Sequence, residues 1–144
     1  MKGPVQSVEV SYLLHATEDP ARVSAAVTWL LSREGRPETE ELEGHFGNKI
    51  VRVRFHLTGE EATAAVSKLA SSMPERLKAE LSDRLGEMVD EHSALFIRLD
   101  KQKLVSGILA EGSLDPVRIK VKPRAFLPRG SAREFYAKLL LGEA

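Results

Sequence analysis

Ile50-Val51-Arg52-Val53-Arg54-Phe55-His56-Leu57 alternates without a break. On an extended chain Val51, Val53, Phe55 and Leu57 point one way, and Arg52, Arg54 and His56 point the other. The period of two predicts a strand with one apolar and one polar face. Strands of a doubly wound parallel sheet are covered on both faces and read as continuous apolar runs. This segment does not, so an α+β sheet is expected, with helices on its apolar side.

The same alternation recurs on either side. Val8, Val10, Tyr12 and Leu14 interleave with Glu9, Ser11, Leu13 and His15. Leu95, Ile97 and Leu99 interleave with Phe96 and Arg98, and Val117, Ile119 and Val121 with Arg118, Lys120 and Lys122. A short strand is expected within Thr39–Glu43, followed by a turn at Gly44-His45-Phe46-Gly47-Asn48. Helical spacing fills the intervals. Asp19 before Pro20 caps a helix over about 20–32, carrying Val23, Ala26, Val27 and Leu30 and ending near Gly35. Thr58 with Glu61, and Ser72 with Glu75, read as capping boxes for two consecutive helices. Asp100 caps a helix with Leu104, Val105, Ile108 and Leu109, and Ser131 with Glu134 opens a last one with Phe135, Leu139 and Leu140. The expected fold is a single-layer, mixed but largely antiparallel sheet with helices mainly on one face. Residues 1–144 are expected to form one domain, with 126–144 as a C-terminal helical extension.

A chain of 144 residues can bury about two-thirds of its unfolded surface, so it needs no staple to fold. It contains no cysteine, which excludes disulfides, thiolate metal sites and a cysteine nucleophile. That composition fits a reducing cytoplasm. Balanced charge with few Asn and Gln fits a thermophilic source. No apolar run approaches the roughly 20 residues of a membrane span, and Met1–Val5 has no apolar core of a signal peptide.

The chain has no G-x-G-x-x-G, P-loop or G-x-S-x-G motif, so nucleotide cradling and hydrolase chemistry lack their usual signatures. His15, His45, His56 and His92 are scattered, with no metal-ligand spacing between them. No catalytic residue, metal or cofactor is expected. Net charge is zero, but from Lys101 onward nine basic residues face four acidic ones. Arg52, Arg54 and His56, with Arg118, Lys120 and Lys122, place cations on the polar faces of two strands. If those strands share a sheet, they form a patch that contacts RNA phosphates. Phe96 and Arg98 on a third strand offer stacking to an unpaired base. Outward charges on a half-exposed sheet, and lysines that block edge pairing, give the same pattern without any ligand.

Four segments carry a resemblance: Tyr12–Asp19, Glu41–Asn48, Phe96–Gln102 and Asp115–Lys122. In this order and spacing they resemble the archaeal RNA-binding family described as a predicted exosome subunit, over about Ser7–Lys122. The resemblance implies a fold like ribosomal large-subunit protein five, and RNA binding without catalysis. It adds His15, Glu43, His45, Asn48, Arg98 and Lys101 as candidate contacts. The expected partners are RNA, exosome subunits and a second copy of the chain, and no membrane. The alternative is a protein–protein adaptor or homodimer that buries the same face, or Trp29, Phe126 and the C-terminal helix. A metal-assisted RNA hydrolase built from the scattered histidines and carboxylates is a third, minor reading.

Overall fold

The computed structural model describes residues 3–32, 36–44, 47–128 and 130–142. Five strands form one sheet: β1 (Val5–His15), β2 (Glu38–Glu43), β3 (Lys49–Thr58), β4 (Leu95–Asp100) and β5 (Pro116–Pro123). Their order across the sheet is β2-β3-β1-β5-β4. Every adjacent pair is antiparallel, in keeping with the largely antiparallel sheet expected, and no parallel pair accompanies them among the described residues. The first strand lies at the centre, where its apolar residues Val8 and Val10 have apolar neighbours on both flanks. It pairs Val10 with Phe55 on one side and with Ile119 on the other.

The helices are α1 (Pro20–Leu31), α2 (Gly59–Ser72), α3 (Glu75–Arg84), α4 (Lys101–Val105) and α5 (Ala132–Tyr136). They lie on the apolar side. Val27 and Leu30 of α1, Val66 and Leu69 of α2, and Leu77 and Leu81 of α3 join Val10, Phe55, Ile97 and Ile119 in one buried cluster. The opposite face of the sheet is open: Arg54, His56, Phe96, Arg98, Arg118 and Lys122 are exposed.

Local signals decided most of the helix ends. Asp19 Oδ1 accepts from the Ala21 N–H at 3.0 Å, with Pro20 at the first helical position, and Asp100 Oδ1 accepts from the Lys103 N–H at 2.9 Å. Thr58 and Ser131 stand at N-cap positions but make no side-chain cap bond. Ser72 does not open α3; it is the last residue of α2. Pro74 sets that break, because a proline pushes the preceding residue out of the helical region, and Met73 is extended with ψ 125°. The helix expected through Leu109 stops after one turn at Val105. Gly107 takes φ +83°, which leaves Ile108 exposed while Leu109 turns back into the core.

The C-terminal segment closes one end of the core. Tyr136, Ala137 and Leu140 are its buried residues among those described, and α5 runs on into a wide turn over Ala137–Leu141. The Tyr136 hydroxyl donates to the Ser93 carbonyl, with the Val121 carbonyl 3.2 Å away. Burial pushes this phenol well above its ordinary pKa.

Candidate nucleic-acid interface

Cross-strand register converts the alternation of each strand into rows on the open face. One row runs Glu38, Arg54, Ser11, Arg118, Arg98 from β2 to β4. The next runs His56, Glu9, Lys120, Phe96. On the β2 side, Glu40 stands opposite Arg52.

These rows divide the face electrostatically. In the β2–β3 half the cations are matched. Arg52 Nη1 lies 3.5 Å from Glu40 Oε2, and Arg54 Nε lies 3.1 Å from Glu9 Oε1. The β5–β4 half is different. Arg98, Arg118 and Lys122 have no ion-pair partner among the described residues, and Arg98 and Arg118 stand directly opposite each other. The Lys120 ammonium lies 5.3 Å from the centre of the Phe96 ring. Arg52, Arg54, His56, Arg118, Lys120 and Lys122 therefore share a face but do not form one uniform patch. The strand between them brings Glu9 into the middle.

The basic half opens at the outer edge of β4 onto a groove of about 610 Å³, with Met88, Val89, Phe96 and Arg98 among its lining residues. Arg84 and Glu111, also in the lining, are hydrogen-bonded to each other, and that contact holds the Arg84 guanidinium above its ordinary pKa. Arg98 is the second guanidinium of the lining and has no ion-pair partner among the described residues, while Glu87 and Asp90 make the wall away from the sheet acidic.

Lys101 is not on this face. Its side chain is 1% exposed. The ammonium donates to the Leu13 carbonyl at 2.6 Å, to Glu18 Oε1 at 2.8 Å and to Asp115 Oδ2 at 2.6 Å. Those three acceptors use all its protons. The expectation that it touches RNA is therefore corrected: the cation is spent on tying the ends of β1, β4 and β5 together. His15 belongs to the same cluster, with Nε2 3.2 Å from Asp115 Oδ2. His15, Glu18 and Asp115 bring ligand atoms within 4.8 Å of one another, a spacing that suits a metal ion. The Lys101 ammonium already bonds both carboxylates, so the cation this cluster needs is supplied by the chain itself.

Asn48 is exposed beside β3, and its carbonyl accepts from the Gly44 N–H at 2.7 Å, closing the turn between β2 and β3. His45 lies outside the described residues. His56 is exposed opposite Glu9. Two residues that matter were not singled out from the sequence. Glu9 neutralises Arg54, and Glu18 holds Lys101; neither role has a local signal, because each depends on a distant partner.

Burial alone would raise the Glu18 carboxyl. The hydrogen bond from Lys101, the His15 N–H and the ammonium's charge outweigh it and hold the group below its ordinary value of 4.5. A depressed folded pKa contributes stability that is complete above the unfolded value and is lost as pH falls through the folded one. Urea unfolding from neutral pH down to about pH 3 is expected to show stability falling on the acid side. Glu18→Gln, which cannot ionise, is expected to be less stable at neutral pH and to flatten that limb. An unchanged acid limb in the variant would remove Glu18 from the account.

Comparison with known proteins places this geometry among relatives. A family model described as RNA binding matches residues 7–123. RNA-binding protein PAB1135 of Pyrococcus abyssi is 31% identical over 136 residues, covering 88% of each chain. Mth689, a DUF54 protein from Methanothermobacter thermautotrophicus, has a solved structure that superposes with TM-score 0.79 at 27% identity, covering 96% of this chain and 99% of that one. Protein SSO0741 from Sulfolobus solfataricus keeps the fold at 20% identity, with TM-score 0.72 over 94% of this chain and 98% of its own. No helix among the described residues is long and apolar enough to cross a membrane.

Proposed function

We propose that this chain, which belongs to the RNA-binding family matched over residues 7–123, binds RNA on the β5–β4 half of its open sheet face and does no chemistry on it. One observation carries the reading. Arg98 and Arg118 are exposed, directly opposite across two strands, and without an ion-pair partner among the described residues. Like charges in that position destabilise a sheet by roughly 0.2–1 kcal/mol. Such a pair costs the fold something and returns nothing until an anion arrives. A phosphate backbone laid along Arg98, Arg118 and Lys122 supplies that anion, and releases counterions as it binds. Arg52 and Arg54, already matched by Glu40 and Glu9, contribute less. The neighbour PAB1135 is itself named an RNA-binding protein, which supports the same assignment. A place among accessory factors of RNA processing or degradation, with exosome subunits as partners, rests on the family resemblance.

The test is a fluorescence-anisotropy titration against single-stranded and duplex RNA at several salt concentrations. With three or four phosphate contacts, log K against log salt is expected to be linear with a slope of about −2 to −3 for a single strand. No binding to either RNA at low salt would remove the reading and move the protein-adaptor alternative ahead of it.

A further inference from the structure

We infer that the groove at the outer edge of β4 is a seat for one unpaired nucleobase, so that the RNA recognised here is single-stranded. The inference rests on the RNA-binding reading above and narrows it to a substrate class. The groove's volume, about 610 Å³, falls within the range of small-ligand pockets. Its position follows from the way the edge strand is covered. Val89 bridges to Leu95 at one end of β4, and Glu111 bridges to Leu99 at the other. Phe96 and Arg98 lie between those two covers and line the groove.

The two residues supply what an unpaired base needs. Phe96 is 40% exposed among the charged residues of the β5–β4 half, at the cost of leaving a large apolar ring in water. Lys120 lies close by that ring, so an aromatic surface and a cation are presented together. A base stacked on Phe96 would bring its flanking phosphates to Arg98 and Lys120, which sit beside it in the register. Met88 and Val89 add apolar wall, while Glu87, Asp90 and Ser113 add acceptors for the donor groups of a base edge. Arg84 and Glu111 bond each other in the lining, and Arg98, on the strand itself, has no ion-pair partner among the described residues, so the phosphates belong on the sheet side of the groove, away from Glu87 and Asp90. A duplex cannot use this arrangement, because its bases stay stacked inside the helix and only its backbone reaches the protein.

The experiment uses the full chain with short fluorescein-labelled RNA, offered as a single strand and as the same sequence in a duplex. The single strand is expected to bind more tightly. Phe96→Ala is expected to weaken single-strand binding roughly 5- to 100-fold and to leave the salt slope unchanged, since the ring touches no phosphate. Phe96→Trp, which keeps a stacking surface, is expected to stay within about twofold of the parent. Removing one base from the strand while keeping its phosphates is expected to reproduce the alanine effect when the missing base is the seated one. RNA binding of normal slope that ignores Phe96→Ala, or equal affinity for duplex and single strand, would overturn the groove while leaving the sheet-face reading intact. Failure of the parent chain to bind any RNA would overturn both.

Discussion

Lys101→Met is expected to cost about 3–5 kcal/mol of folding stability, the range for removing one member of a buried ion pair. The methionine fills nearly the same space, so the loss is electrostatic rather than a cavity. What remains is a Glu18 carboxylate only 12% exposed and a Leu13 carbonyl that has lost its donor. Glu18 keeps bonds from the His15 N–H and from Gln102 Nε2, so it is weakened rather than orphaned. Asp115 is more accessible and retains His15, so water can take over much of its share. The double variant Lys101→Met with Glu18→Gln separates the causes. Removing both charges leaves no unpaired buried ion, and it is expected to recover at least half of the loss. Urea unfolding of the four proteins measures the cycle. A single-variant cost below about 1 kcal/mol, or no recovery in the double variant, would mean that solvent reaches the cluster and that Lys101 is not its keystone.

Lys101 also marks where the sequence ceases to be legible. Locally it is the first residue of a short helix after a capping aspartate, a position where lysine normally faces water. Its burial is decided by Glu18, 83 residues away, and by Asp115 across a turn. No pattern of period two or 3.6 encodes such a meeting. The strands themselves were legible because alternation is local: Ile50–Leu57 and Val117–Lys122 carry their faces in their own residues. Asp19 and Asp100 were legible for the same reason, since a cap acts over two or three residues. The helix through Leu109 was overread because Leu104, Val105, Ile108 and Leu109 have helical spacing, yet Gly107 turns the chain before the second turn can form. Strand order lay beyond reach. With β1 between β3 and β5, Glu9 falls among the cations that alternation alone would merge. The segments that carry the family resemblance include His15, Glu18, Lys101 and Asp115, so much of what is recognisable there builds the ion cluster rather than a ligand contact.

Register also exposes the opposed arginines, and they yield a prediction in which stability and binding move in opposite directions. Arg98→Gln with Arg118→Gln removes the two cations that face each other across β4 and β5. Folding stability is expected to hold or to rise by about 0.2–1 kcal/mol, because a like-charge pair is relieved and neither side chain has an ion partner to lose among the described residues. RNA affinity is expected to fall. For a single strand each lost phosphate contact removes about 0.7 from the salt slope, so two make it shallower by about 1.4. At 0.1 M salt counterion release alone then lowers affinity by roughly 25-fold. Arg52→Gln with Arg54→Gln provides the contrast. Those side chains bond Glu40 and Glu9, so their removal is expected to cost up to about 1 kcal/mol of stability and to change the salt slope little. Anisotropy titrations and urea unfolding on both double variants read the two quantities together. Equal slopes for the two variants would mean that the whole face holds RNA. A fall in stability without a fall in affinity for the Arg98 and Arg118 variant would mean that these arginines serve the fold, and the basic half of the sheet would lose its claim as the binding surface.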